Sequence, residues 1–186
     1  MRIISGKLKG KSINFLKNLH TRPLKDAVRE NIFNILTHSN LIQARIENSN
    51  VLDLYSGIGS FGIECVSRAA AKVTFVEKNI QSFNILKKNL IELTVIEKAK
   101  IYNKDVGNAL LHNINEKFNI FFFDPPFLDS NFLKNLKLIK EKKIYEKNHI
   151  VIIHRDKKKE DNFENLIKIL KKKIYGRSKI IFGIFY

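Results

Sequence analysis

From residue 51 onward, short uninterrupted apolar runs alternate with amphipathic stretches, a pattern that few folds accept. VLDLY is followed by a glycine turn and the helical run FGIECVSRAA. KVTFVE is followed by SFNILKKNLIEL, and AKIYN by a short helix near Gly107 to His112. NIFFFD precedes the helical NFLKNLKLIKE, and HIVIIH precedes ENLIKILKKK, read as the last helix. The closing pieces, IYGRSK and IIFGIFY, are β-rich and able to pair at a sheet edge. Strands that are apolar on both faces must be covered on both faces, and the intervening helices supply the cover. The pattern predicts an α/β fold with a doubly wound, mostly parallel, seven-stranded sheet. Ligands of such sheets bind beyond the carboxyl ends of the strands.

Upstream, Arg2 to Phe15 is β-rich and broken by Gly6 and Gly10, which predicts a small N-terminal hairpin within residues 1–20. After Pro23, Leu24, Ala27, Val28, Ile32, Ile35 and Leu36 recur at helical spacing. No Gly/Ser or Pro linker divides the chain, so residues 1–186 are expected to form one domain, with residues 21–186 as its core. The single cysteine, Cys65, cannot form an internal disulfide and fits a reducing cytoplasm. The N-terminus lacks a continuous apolar core of a signal peptide, and no stretch approaches the roughly 18 apolar residues of a membrane span. A soluble, cytoplasmic, monomeric protein is the expectation. Scattered His residues and one Cys give no metal-ligand spacing, so no metal is expected.

Charge narrows the class of partner. The chain carries 34 Lys and Arg against 18 Asp and Glu, a net charge of +16. Residues 1–30 hold 8 basic and 2 acidic side chains, residues 31–133 hold 10 of each, and residues 134–186 hold 16 and 6. A neutral middle between two basic ends describes a catalytic core flanked by surfaces for a polyanion. A coding bias toward Lys, Asn and Ile would raise Lys without obviously confining the excess to the ends.

Two motifs fall at strand ends. The first is Asp53-Leu-Tyr-Ser-Gly57-Ile-Gly59-Ser-Phe-Gly62, a strand running into a glycine turn and a helix. Glycine at 57 and 59 permits backbone angles closed to other residues and lets a ligand approach the main chain, and the helix start offers free N–H groups. Glu77, closing the second strand, is placed to accept hydrogen bonds from both hydroxyls of a ribose. The spacing satisfies the GxGxxG dinucleotide fingerprint, so NAD competes here. Asp53, four residues before Gly57, could face an amino-acid end, and nothing in the loop requires a pyrophosphate. The balance favours S-adenosylmethionine. Asp105 could meet an adenine amino group or cap the following helix.

The second motif is Asp124-Pro125-Pro126-Phe127, directly after the apolar strand IFFF. Two of the chain's three prolines stand here, and a proline pair ends a strand as a stiff extended step. An exocyclic ring amine is a poor nucleophile because its lone pair is delocalised. Acceptors from the Asp124 carboxylate and the Pro125 carbonyl could hold its hydrogens in a geometry that frees the lone pair. Phe127 offers a face for a base to stack on.

With these blocks the chain resembles the RsmD family, bacterial methyltransferases acting on guanine N2 in small-subunit (16S) ribosomal RNA. The resemblance is carried by Arg2-Ile-Ile-Ser-Gly6 with Lys9-Gly10, by Arg22-Pro23 with Asp26-Ala-Val28-Arg29-Glu30 and Phe33-Asn34, by the glycine loop with Ser67-Arg68, and by Asp124 to Phe127. It spans residues 2–127; beyond that, only the strand and helix pattern agrees. It implies a Rossmann-like methyltransferase whose cofactor, S-adenosylmethionine, is held by Asp53, Gly57, Gly59, Glu77 and Asp105. Asp124, Pro125, Pro126 and Phe127 would take the flipped guanine. Arg2, Lys7, Lys9, Lys11, Arg22 and Arg29 would face the 16S RNA or the small subunit. The chain departs from the family at Leu24-Lys25, where two threonines are common, and at His154-Arg155 after the fifth strand. Two alternatives remain at this stage: adenine-N6 methylation of DNA or RNA, and a non-catalytic RNA-binding assembly protein.

Overall fold

A computed structural model describes residues 1–15 and 24–186. Its centre is a seven-stranded sheet in the order β3-β2-β1-β4-β5-β7-β6. The strands are β1 (Asn50–Leu54), β2 (Lys72–Val76), β3 (Ala99–Tyr102), β4 (Phe118–Phe123), β5 (Tyr145–Asp156), β6 (Ile167–Tyr175) and β7 (Ser178–Phe185). The first five run parallel, while β7 is antiparallel to both β5 and β6. The helices are α1 (Asp26–His38), α2 (Ser60–Ser67), α3 (Ile80–Glu92), α4 (Val106–His112) and α5 (Phe132–Lys142). Among the described residues no helix is long and apolar enough to cross a membrane.

Alternation along the central strands explains the two-sided cover. Val51, Phe75, Ile120, Phe122 and Ile152 point to one face and pack with Val28, Ile32 and Phe33 of α1, Phe61 of α2 and Leu86 of α3. Their neighbours Leu52, Val76, Phe121, Phe123 and Ile153 point to the other and pack with Leu110 of α4 and Phe132 and Leu136 of α5. The sheet is doubly wound, as the apolar runs require. Phe61 is stacked between Phe33 and Phe122, at centroid distances of 5.1 and 4.0 Å, which seats α2 on β4.

Two expectations are overturned. ENLIKILKKK does not form a last helix; from Ile167 onward it enters β6. Ile167, Ile169 and Leu170 suit a short helix or a strand equally, because periodicity cannot separate the two over so few residues. The neighbour decides: β7 has β5 on one side only, and its other edge needs backbone partners. The β6–β7 ladder runs from Ile167↔Phe185 to Tyr175↔Ser178, with a bulge between Ile169 and Lys171. Exposed Lys168, Lys172 and Lys173 then line the sheet's outer edge, where they oppose pairing with another chain.

Nor does the N-terminus form a two-stranded hairpin. Among the described residues one isolated antiparallel bridge, Arg2↔Ser12, is present, flanked by the Ile3 N–H to the Lys11 carbonyl (3.0 Å) and the Ile13 N–H to the Met1 carbonyl (2.9 Å). Amides between those arms are taken by α2. Ile4 and Ser5 donate to the Glu64 carboxylate (2.8 and 2.9 Å), Lys7 to the Ser67 carbonyl (2.8 Å) and Leu8 to the Ser67 hydroxyl (3.0 Å). Ile3, Leu8 and Ile13 are buried in the same stroke. Glu64, itself buried, is balanced by those two amides and by Arg68 at 2.9 Å. The segment is therefore a strap docked on α2.

Candidate active site

The strand order reverses direction at β1, with β2 on one side and β4 on the other. Crevices at such points, outside the carboxyl ends of the strands, are where sheets of this kind take ligands. Leu54 pairs with Phe123, and the Asp124 N–H donates to the Leu54 carbonyl (3.3 Å). The glycine loop and the Asp-Pro-Pro-Phe tetrad, 70 residues apart in sequence, thus leave adjacent strands side by side.

The loop is tied to β2 by Glu77, whose carboxylate accepts from Gly57 N and Asn79 N, both at 2.7 Å. Each oxygen retains a second lone pair. Gly57 (φ +55°) has open space where a Cβ would stand, whereas a Cβ on Gly59 (φ +85°) would lie 2.4 Å from Leu86 Cδ1. Gly57 thus leaves the main chain approachable, and Gly59 is demanded by packing on α3. Tyr55, the loop's first residue, is held in a left-handed conformation (φ 59°), and its hydroxyl accepts from Asn135 Nδ2 at 2.9 Å. Burial pushes the Tyr55 phenol well above its ordinary value.

Asp53 is 1% exposed. One oxygen accepts from Gly62 N (2.9 Å), and the other, Oδ1, has no partner among the described residues. Burial pushes this carboxyl well above the usual range; the Gly62 amide opposes that, and the nearby charges of Asp124 and Glu77 add to it. Asp105 is exposed and caps α4, accepting from Gly107 N at 2.9 Å and Asn108 N at 3.4 Å. It lines a cavity of about 540 Å³ together with Tyr55, Lys78, Gly107, Pro126 and Asn135. An orphaned buried acceptor at Asp53, spare acceptor capacity at Glu77 and Asp105, and an open backbone at Gly57 suit a cofactor bearing an ammonium group and ribose hydroxyls. A larger groove of about 720 Å³ lies at the opposite end of the sheet, beside Asn48, Asn119 and Asn148, away from every motif.

Within the tetrad, Asp124 is partly exposed, Pro125 buried, Pro126 exposed and Phe127 half-buried. Arg155, which the sequence reading left without a role, holds the loop from below. Its guanidinium donates to the Pro126 carbonyl (3.1 Å) and the Phe127 carbonyl (3.3 Å) and forms a two-pronged ion pair with Asp161 (3.0 and 3.1 Å). It also lies 4.5 Å above the Phe132 ring. No donor among the described residues reaches the Pro125 carbonyl. His154 contacts Asp124 through Nδ1, at 2.8 Å. A signal for both residues was present in the sequence: they directly follow the apolar run Ile150 to Ile153 of β5, as Asp124 follows IFFF, and adjacent parallel strands bring such positions together.

Of the residues expected to face RNA, Arg2, Lys7, Lys9 and Lys11 are exposed on the strap. Arg29 is not. It is 0% exposed, donating to the Arg2 carbonyl and to Asp26, because α1 turns it onto the underside of the strap. Arg29 is a clamp within the fold, and its assignment to the RNA surface is corrected. Arg22 lies outside the described residues.

The family described as "Conserved hypothetical protein 95" matches residues 1–184, and 34% of positions over 172 residues are identical to "Ribosomal RNA small subunit methyltransferase D" of Buchnera aphidicola. The chain belongs to the RsmD family. That alignment covers 92% of this chain and 86% of the Buchnera protein. Among solved structures, yhhF of Escherichia coli superposes with a TM-score of 0.81 at 26% identity, covering 98% of this chain and 96% of that one. The RNA methyltransferase of Salinibacter ruber, solved with S-adenosyl-L-homocysteine, shares the fold (TM-score 0.65, 14% identity, 88% and 94% covered). The mixed sheet with its antiparallel C-terminal pair is therefore the methyltransferase arrangement, and the strap and tetrad of this RsmD-family chain sit on it.

Proposed function

We propose that this chain transfers a methyl group from S-adenosylmethionine to the exocyclic N2 of a guanine in 16S ribosomal RNA. The observation that carries the reading is the abutment of loop and tetrad, through the Asp124–Leu54 hydrogen bond, at the switch point of the sheet. The names of the relatives support small-subunit ribosomal RNA as the substrate, and the resemblance to the family supports guanine N2 as the acceptor.

When bound, the cofactor supplies an electrophilic methyl group on a sulfonium. Glu77 would accept from the ribose, Gly57 would let the ligand lie against the backbone, and Asp53 Oδ1 would take the ammonium end. Asp105 would meet the adenine amine with acceptor capacity left over from capping α4. On the substrate side, Asp124 and the Pro125 carbonyl accept hydrogen bonds from the guanine amine and turn its lone pair toward the methyl group. Phe127 holds the flipped base by stacking. Little acid–base chemistry is needed; alignment and charge placement lower most of the barrier. The new N–C bond forms as the S–C bond breaks, the sulfur leaves as a neutral thioether, and the nitrogen, cationic after transfer, would give up a proton to Asp124 or to water.

The test is mass spectrometry of ribosomal RNA nucleosides from cells lacking the protein, joined to transfer of labelled methyl groups onto small-subunit particles from those cells. Loss of N2-methylguanosine and its restoration in vitro are expected. Loss of N6-methyladenosine instead would replace the acceptor, and tight binding of NAD would replace the cofactor.

A further inference from the structure

His154 ends the apolar run of β5, one residue beyond Ile153, whose register partner is Phe123. The parallel register thus places it level with Asp124. Its side chain is 8% exposed and engaged at both nitrogens: Nδ1 lies 2.8 Å from Asp124 Oδ1, and Nε2 lies 2.8 Å from Ser178 Oγ. The ring also meets Phe127 edge-on, with centroids 5.6 Å apart and planes at 80°. One buried side chain therefore touches both the acceptor and the stacking member of the tetrad, and β7 anchors it from behind through Ser178.

We propose that His154, braced by Ser178, is the positioning residue that orients the Asp124 carboxylate toward the substrate amine; the proposal rests on the methyltransferase reading above. A carboxylate can only accept, so the proton sits on Nδ1, and Nε2 accepts from the Ser178 hydroxyl in the neutral ring. The carboxyl torsion of an aspartate is soft, so a free Asp124 would sample many orientations. Holding Oδ1 fixes that torsion and leaves Oδ2, which has no partner among the described residues, as the acceptor presented to the amine. Alignment of this kind acts on the rate of the chemical step, and a misplacement of about 1 Å costs on the order of a hundred-fold.

The variants that isolate this role are His154→Asn and His154→Gln. The asparagine amide nitrogen stands near the place of Nδ1 and can still donate to Asp124. The glutamine amide reaches the place of Nε2 and meets Ser178 instead. In single-turnover methyl transfer, His154→Gln is expected to slow the step by about a hundred-fold, with cofactor and RNA affinities unchanged. His154→Asn should recover most of the rate, and Ser178→Ala should lose only a few-fold. Equal losses in the asparagine and glutamine variants, or affinity falling together with rate, would overturn the positioning role. A second measurement does not depend on activity. In the full protein labelled with ¹⁵N-histidine, a downfield Nδ1–H resonance should be present, vanish in Asp124→Ala and survive in Ser178→Ala. Its absence from folded wild type overturns the contact whatever the activity. Its presence in a wild type inactive on every RNA overturns the methyltransferase reading instead, and the role falls with it.

Discussion

Gly59 faces Leu86 so closely that a Cβ on the glycine would lie 2.4 Å from Leu86 Cδ1. Its φ of +85° is also in the left-handed region. Any side chain at 59 therefore strains the backbone and crowds α3, and the effect is on folding before it is on ligand binding. Gly59→Ala should destabilise the protein by about 1–3 kcal/mol, read as a lowered urea midpoint. Trimming the neighbour in the double variant with Leu86→Ala should return part of that loss. Simple additivity of the two would refute the clash. Gly57→Ala is the cleaner probe of the cofactor, because nothing stands within 4 Å of the added methyl. It should cost only about 1–2 kcal/mol from its left-handed angle while sharply weakening S-adenosylmethionine in calorimetry.

Asp53 links stability to pH. Burial raises its carboxyl in the folded state above the ordinary value of 3.8. Above that value the unfolded chain releases the proton while the native state still binds it. Asp53's contribution is thus fully present below the unfolded pKa and is lost as pH rises toward the raised folded one. Asp53→Asn cannot titrate, so its unfolding free energy should fall less between about pH 4 and neutrality than that of the wild type. The same variant should bind S-adenosylmethionine more weakly, since the cationic end loses its partner. Parallel stability curves for the two proteins would argue against a raised Asp53.

Much of this architecture was legible in the sequence, and what was not shares one cause. β1, β2, β4 and β5 declare themselves because their apolar runs are buried on both faces, and α1, α3, α4 and α5 because each buries one face, which are local patterns; β3, only partly buried, and α2, buried all round, are marked instead by their place in the alternation. The strap and β6 depend on distant partners: Glu64 and Ser67 take the amides of residues 4, 5, 7 and 8, and β7 draws Ile167 and Ile169 into a ladder. Arg29 was read as a surface charge because the sequence carries no sign of the strap's carbonyl above it. At the site, the placement of Asp53, Glu77 and Asp124 at strand ends could be read from the apolar runs before them. The Gly57–Glu77 tie and the His154–Asp124 contact needed the strand order.

Arg155 and Asp161 form a buried ion pair, at 2% and 9% side-chain exposure. Removing one partner strands the other charge, so Arg155→Ala should destabilise by about 3–5 kcal/mol. The double variant Arg155→Met with Asp161→Leu should be nearer the wild type, because two matched apolar groups leave no buried charge. That double variant still lacks donors for the Pro126 and Phe127 carbonyls. Normal stability with reduced methyl transfer is therefore its expected signature, and normal transfer would show that the clamp serves folding alone.

If the exposed strap lysines hold RNA, binding must weaken with salt, since each phosphate contact releases condensed counterions; the expected slope is about −0.7 per contact for single strands. Neutralising Lys7, Lys9 and Lys11 together should flatten that slope without altering cofactor affinity. Lys157 and Lys158, exposed just past β5 on the tetrad's side of the sheet, offer a second comparison. A slope that changes only in the second pair would move the RNA surface from the strap to the C-terminal basic end.

Asp124 and Phe127 should part company kinetically. In the proposed reaction Asp124 accepts from an amine whose hydrogens become better donors as the nitrogen turns pyramidal and cationic, so its hydrogen bond would strengthen toward the transition state. Phe127 would stack on a ring that changes little during the reaction. Removing an interaction made chiefly in the transition state lowers the rate constant with little effect on binding, whereas removing a uniform one weakens binding. Asp124→Ala should therefore slow single-turnover transfer from labelled cofactor to undermethylated small-subunit particles far more than it weakens affinity for either ligand. Phe127→Ala should show its loss chiefly in RNA affinity, on the order of 1–3 kcal/mol; a smaller loss of rate follows as the ring is held less firmly. Full activity in Asp124→Ala would remove the carboxylate from the mechanism. A loss confined to RNA affinity in both variants would reduce the tetrad to a base-binding platform and return the weight of catalysis to the glycine loop.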